Sequence, residues 1–187
     1  MPLDVVAIVG SLRRDSFTRR LVRSFVGLAP ASMKIEIVEL RDLPIYDPDA
    51  ESSPPAPWVT FRNRVKPADA VLFATPEYNR SVPGVLKNAI DVGSRPSGSS
   101  VWARKPAAIV SVSPGVMGAF GANHHLRQSL VYLDMPTLQQ PEAYIGQADK
   151  LFDSTGEFVN PATRELCVKF LGAFAGWIER QRRPLAN

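Results

Sequence analysis

The sequence predicts an α/β fold built on a doubly wound parallel sheet, and three observations carry that prediction. Short runs rich in Val and Ile recur along the chain, most of them apolar on both faces as buried parallel strands are. Patterns with apolar residues three and four apart fill the intervals, as amphipathic helices do. The length, 187 residues with 45% hydrophobic and 21% charged, is enough for one compact domain over residues 1–187 and too little for two.

The elements follow in chain order. "LDVVAIV" (3–9) reads as the first strand. From Ser16 to Leu28, the residues Phe17, Leu21, Phe25 and Leu28 share one helical face. "MKIEIVEL" (33–40) alternates cleanly, which suits a strand with one face more exposed. "APWVTFRNRVK" supplies a short helix and "ADAVLFAT" (68–75) a third strand. Pro83 is well placed in the first turn of the next helix, where Val85, Leu86, Ala89 and Ile90 form one face. "PAAIVSVS" (106–113) is a fourth strand, and residues 119–133 give a further helix. The last helix starts with Asn160 as N-cap and Pro161 at its first position, and Leu166, Cys167, Phe170, Leu171, Phe174, Trp177 and Ile178 form a wide apolar stripe. Cys167 is therefore expected as a buried structural thiol. Tyr46, Trp58, Phe61 and Trp102 are expected as core or interface aromatics, and "SRPSGSSVWARK" (94–105) as a flexible excursion. Right-handed crossovers then leave the loops 10–18, 76–82 and 111–118 together at the carboxyl edge of the sheet.

Charge and cysteine content narrow the function. A net charge of +4 and a pI of about 9.5 admit nucleic acid, anionic membrane and phosphorylated small molecules as partners. The arginines are dense only at Arg13 to Arg23 and Arg180 to Arg183, and the second group suits the negative end of a helix that stops before Pro184. No apolar stretch is long enough for a membrane span, and "MPLDVVAIVG" sets an acid inside the apolar run without a basic leader, against a secretory signal. One cysteine excludes an internal disulfide and fits a reducing compartment, so the cytoplasm is the expected location.

The opening turn, "GSLRRDSFTRRL" (10–21), sets one glycine, three hydroxyls and four arginines between a strand and the amino end of a helix. Free N–H groups and the positive helix end there favour an anion. It is neither a Walker A loop nor a dinucleotide fingerprint, because Gly10 is its sole glycine. A terminal monophosphate gripped by Ser11, Arg13, Ser16 and Thr18 fits instead, and a monophosphate on a longer molecule points to FMN. The competing reading of this turn alone is that Ser16 only caps its helix while Arg13 and Arg14 are solvated. Asp15 is an awkward acid beside a phosphate and is expected to point outward. The second loop, "TPEYNRSVPGVLKNAID", offers a proline-held backbone and a polar aromatic to a flat ring.

Gly10-Ser11-Leu12-Arg13 with Ser16, followed by Pro76-Glu77-Tyr78-Asn79, Ser81, Pro83, Gly84, Leu86 and Lys87-Asn88-Ala89-Ile90-Asp91, resembles the NADPH-dependent FMN reductase family, which includes quinone, chromate and azo-dye reductases. The likeness continues through "SPGVMGAFGANHHLRQSLVYLDM" and "PEAYIG". It implies a flavodoxin-like five-stranded sheet of order 2-1-3-4-5, non-covalent FMN, NADPH as co-substrate, and a homodimer or homotetramer. Ser11, Arg13, Ser16 and Thr18 would hold the phosphate. Pro76, Glu77, Tyr78 and Asn79 would line the isoalloxazine, and the loop Val112, Ser113, Pro114 and Gly115 would close its far side. The chain departs from the family at Thr18, where Asn is common, and at Val92 and Gly93, where a Trp commonly follows the Asp.

The resemblance implies ping-pong hydride transfer from NADPH through the flavin to a small-molecule acceptor, a quinone or similar compound such as chromate, an azo dye or free flavin, with no catalytic side chain required. Arg14 and Arg80 stand where they would favour NADPH. Neither nucleic acid nor membrane is expected as a partner. His124 and His125 are neighbours on a helix and point about 100° apart, without further ligands, so no metal is expected; with Arg127, Tyr132 and Glu142 they are expected in a polar subunit contact. An FMN-binding electron carrier without NADPH turnover is the alternative, although such proteins are typically acidic; a flavin-free nucleotide- or nucleic-acid-binding module is the other.

Overall fold

A computed structural model describes residues 1–182. Five parallel strands lie in the order β2-β1-β3-β4-β5, namely β1 (Leu3–Val9), β2 (Met33–Val38), β3 (Ala70–Thr75), β4 (Ala107–Val112) and β5 (Ala143–Ile145). Val5 sits beside Ile35 on one side and Ala70 on the other, and Val110 pairs with Ala143 towards the far edge. Every residue of β3 and β4 is buried, which is why both read as continuous apolar runs. The edge strand β2 instead alternates buried Met33 and Ile35 with exposed Lys34 and Glu36.

Helices cover both faces. α1 (Phe17–Leu28) and α5 (Pro161–Arg182) bury Leu21, Phe25, Phe170 and Phe174 against Val5, Ala7 and Leu72. α2 (Ala56–Val65), α3 (Gly84–Gly93) and α4 (Phe120–Tyr132) bury Trp58, Phe61, Leu86 and Leu126 against Val6, Ile8 and Phe73. Each such side chain contributes about 1.5–3 kcal/mol by leaving water. Cys167 lies in the first of these cores, and burial pushes its thiol up to about 12. Arg180 and Arg182 occupy the last turn of α5, whereas Arg183 and Pro184 lie outside the described residues. Among the described residues no helix is long and apolar enough to cross a membrane.

β1 keeps its expected bounds, and β2, β3 and β4 fall a residue or two inside theirs. Leu40 is buried but lies beyond the β2 ladder, and Ala68 precedes that of β3. The larger correction concerns residues 94–105, which are pinned rather than free. Trp102 is fully buried, its indole N–H donates to Ile90 O at 2.9 Å, and its ring meets Phe61 and Phe73. Gly93 makes the room, since a Cβ there would lie 2.4 Å from Trp102 Cζ2. An indole from the excursion thus packs against Gly93 where α3 ends.

Candidate active site

β1, β3 and β4 are adjacent, so their carboxyl ends bring the three candidate loops to one edge, where the strand order reverses. Gly10 extends β1 by donating to Ala74 O at 2.8 Å. A Cβ on Gly10 would stand 3.1 Å from Leu86 Cδ2 and 3.3 Å from Pro76 Cδ, so the first turn settles directly against the second loop. Ser16 caps α1, its Oγ accepting the Arg19 N–H at 3.1 Å. Ser16 is thus a helix cap, as one of the two readings of this turn had it. The N–H groups of Phe17 and Thr18, first in the helix, have no acceptor among the described residues. Ser11, Ser16 and Thr18 are buried, while Arg13, Arg14 and Asp15 face outward. The Arg13 guanidinium lies over the Phe17 ring at 5.7 Å.

Arg41, which the sequence did not single out, donates to Leu12 O at 2.5 Å and so fixes the turn from beyond β2. Close by, Arg19 grips Glu39 through both oxygens, which holds the Glu39 carboxyl below its ordinary value. Unpaired N–H groups and arginines together make this turn electropositive.

The second loop is a tight hairpin. Tyr78 and Ser81 exchange backbone hydrogen bonds at 3.2 and 3.0 Å, and the central residues Asn79 and Arg80 both have positive φ (52° and 63°), as in a type I′ turn. The Thr75 hydroxyl donates to Pro76 O at 2.6 Å and steadies the entry. Tyr78 is half exposed at the tip, and the N–H groups of Glu77 and Asn79 have no acceptor among the described residues. The Glu77 side chain turns toward the amino end of α4. Its Oε2 accepts the Ala122 N–H at 2.9 Å, and Arg80 approaches Oε1 at 3.2 Å.

The third loop is folded onto β5. Ser113 N–H donates to Ile145 O at 3.0 Å, and its hydroxyl donates to Gly115 O while accepting the Ala119 N–H, each at 3.2 Å. Beneath it, buried Asn123 donates to Ser111 Oγ (3.2 Å), which donates to Gly118 O (2.7 Å). Val112 is buried, and Val116 and Met117 are exposed at the rim.

The two histidines part company. His125 Nδ1 lies 2.8 Å from Ser81 Oγ, whereas His124 Nε2 lies 2.9 Å from the Tyr144 hydroxyl. Burial, with Glu142 adding to it, pushes Tyr144 up to about 12. Arg127 is spent on Asn123 Oδ1 and Leu138 O, and Tyr132 stands exposed. Among the described residues no group of three or more His, Cys, Asp or Glu is gathered to hold a metal ion.

The model for the NADPH-dependent FMN reductases matches residues 3–150. The chain belongs to the NADPH-dependent FMN reductase family. It is accordingly a flavin-dependent oxidoreductase. A quinone reductase of Pseudomonas putida is 55% identical over 180 residues, 96% of each chain. A 2-hydroxy-1,4-benzoquinone reductase of Burkholderia sp is 42% identical over 182 residues, covering 97% of this FMN reductase and all of that protein. The solved structure of FerB, a flavoenzyme NAD(P)H:(acceptor) oxidoreductase from Paracoccus denitrificans, superposes with a TM-score of 0.89 at 38% identity, over 96% of this chain and 99% of that one.

Proposed function

We propose that this FMN reductase is an NAD(P)H-dependent quinone reductase, with residues 1–187 forming one catalytic unit that holds FMN non-covalently. The observation that carries the reading is the seat after β1, where the unpaired N–H groups of Phe17 and Thr18 stand among buried Ser11, Ser16 and Thr18. That seat suits a terminal phosphate, with Arg13 neutralising its charge from the rim. Pro76, Glu77, Tyr78 and Asn79 supply the resting edge for a flat ring, Glu77 and Asn79 through their free N–H groups. Val112, Ser113 and Gly115 close the far side through the backbone.

FMN, when bound, supplies the redox chemistry by accepting hydride from a reduced nicotinamide and passing the electrons on to the acceptor. The protein's own work is to bind, orient and stabilise charge, and no side chain is asked to move a proton. Exposed Arg14 and Arg80 favour the phosphorylated coenzyme from the mouth of the site. The quinone class of the acceptor rests on the P. putida and Burkholderia relatives. One buried cysteine fits work in the cytoplasm. Assembly as a homodimer or homotetramer would use the exposed side of α4, where Phe120, Val131 and Tyr132 leave apolar surface in water.

Titration of apoprotein with FMN tests the phosphate seat. One charge-assisted bond contributes about 1.5–3 kcal/mol, and Arg13 is exposed, so Arg13→Ala is expected to weaken FMN about tenfold. Unchanged affinity would remove Arg13 from the site.

A further inference from the structure

We infer that Glu77 is a positioning residue, whose carboxylate bolts the 76–81 hairpin to the amino end of α4 so that the hairpin is already set for its ligand. The inference rests on the reading that this hairpin lines the flavin. It assigns the Glu77 side chain away from the ligand and leaves contact to the loop's backbone and to Tyr78.

Helix α4 has no cap of its own. Its N-cap residue is Ala119, at φ 60°, which has no side-chain acceptor to offer. Phe120 N–H finds Met117 O at 3.1 Å and Asn123 N–H finds Ala119 O at 3.1 Å, which leaves the N–H groups of Gly121 and Ala122 without a backbone acceptor among the described residues. Glu77 Oε2 accepts the Ala122 N–H from 45 residues away in sequence, and it brings a negative charge to the positive end of the helix. The carboxylate is enclosed, with only 13% of the side chain exposed, and Arg80 is its ion-pair partner.

Gly121 is what permits the approach. A Cβ there would stand 2.8 Å from Glu77 Oε2 and 3.3 Å from Arg80 O. Further along the same helix, His125 meets Ser81 at 2.8 Å. The hairpin is thus fastened at both stems, before Tyr78 and after Arg80, while its tip stays exposed. A turn held this way needs little ordering when a ligand arrives, and preorganisation of that kind appears as affinity.

Four variants test the inference through FMN affinity of the apoprotein and hydrogen exchange at the start of α4: Glu77→Ala, Glu77→Gln, Gly121→Ala and the double variant E77A/G121A. Glu77→Ala is expected to weaken FMN about tenfold, the scale of one charged cap, and to speed exchange at Ala122. Glu77→Gln should recover most of both, because its amide oxygen still accepts. Gly121→Ala should mimic Glu77→Ala, although this exchange in a helix ordinarily stabilises. The double variant should be no worse than Glu77→Ala, since no carboxylate is left to displace.

Equal FMN affinity in wild type and Glu77→Ala overturns the inference alone. So does weaker binding with unchanged exchange and a neutral Gly121→Ala, which would place Glu77 against the ligand. Wild-type protein that binds no FMN overturns the flavin reading as well, and is told apart by that control.

Discussion

Gly118 is the sharpest place to perturb the third loop. It has φ 56°, and a Cβ added there would lie 2.6 Å from Tyr144 C, 2.7 Å from Ile145 N and 3.0 Å from Ile145 C. All three are backbone atoms of β5 and cannot swing aside. The left-handed conformation costs an alanine about 1–2 kcal/mol, and forcing a methyl into packed backbone costs about 1–3 kcal/mol more. Gly118→Ala should therefore destabilise by roughly 2–5 kcal/mol, or about 4–20 °C in Tm for a chain of this size. Gly118 also accepts the Ser111 hydroxyl and leads into α4, so FMN affinity should fall with stability. Gly115→Ala is the matched control, because its Cβ would meet only Ser113 Oγ at 3.8 Å. Calorimetry of the two variants side by side reads the stability effect, and FMN titration of Gly118→Ala against wild type reads the other. A Gly118→Ala protein as stable as Gly115→Ala would refute the packing of this loop onto β5.

Gly93→Ala should lower Tm despite alanine's better helix propensity, because its Cβ would overlap the Trp102 indole; a smaller residue at position 102 should recover part of the loss, and a stabilised Gly93→Ala would contradict the wedge. Cys167 is buried with its thiol pushed up to about 12, so an aromatic disulfide reagent should label it only in denaturant; rapid labelling of folded protein would contradict its place in the core. Arg64 holds the Glu36 carboxyl, and Arg19 the Glu39 carboxyl, below the ordinary value of 4.5. Groups depressed in the folded state stabilise at neutral pH and lose that contribution as pH falls through 4.5 and below, so Tm should drop there and Arg64→Ala should soften the drop. An acid limb unchanged in Arg64→Ala would remove this cluster from the account.

The alternation of strands and helices, and with it the converging loops, was legible because β3 and β4 are buried on both faces and the helices carry apolar stripes. The Ser16 cap was legible too, since capping is a local signal. β5 was not read from periodicity, because three residues, Ala143 to Ile145, are too few to show one, and the strand came with the family resemblance. Trp102 was legible as a core aromatic, but the excursion that carries it read as flexible because the Ser- and Gly-rich residues around it carry the loop signal, while the cavity it fills is made by Gly93 in another element. Glu77 and Arg41 act through partners distant in sequence, Ala122 and Leu12, and no spacing announces such contacts. A glycine facing an acidic loop residue is the nearest cue for Glu77, and it becomes visible only once α4 is docked.

If the seat after β1 holds FMN, NAD(P)H should reduce it there. The measurement that meets this most directly is the visible absorption spectrum of the purified protein, saturated with FMN, before and after anaerobic NADPH. The expected result is a bound flavin band that bleaches, followed by recovery of the band on adding a quinone. A bound band that persists with NADPH would make the protein an electron carrier, and protein that takes up no FMN would contradict the account at its root.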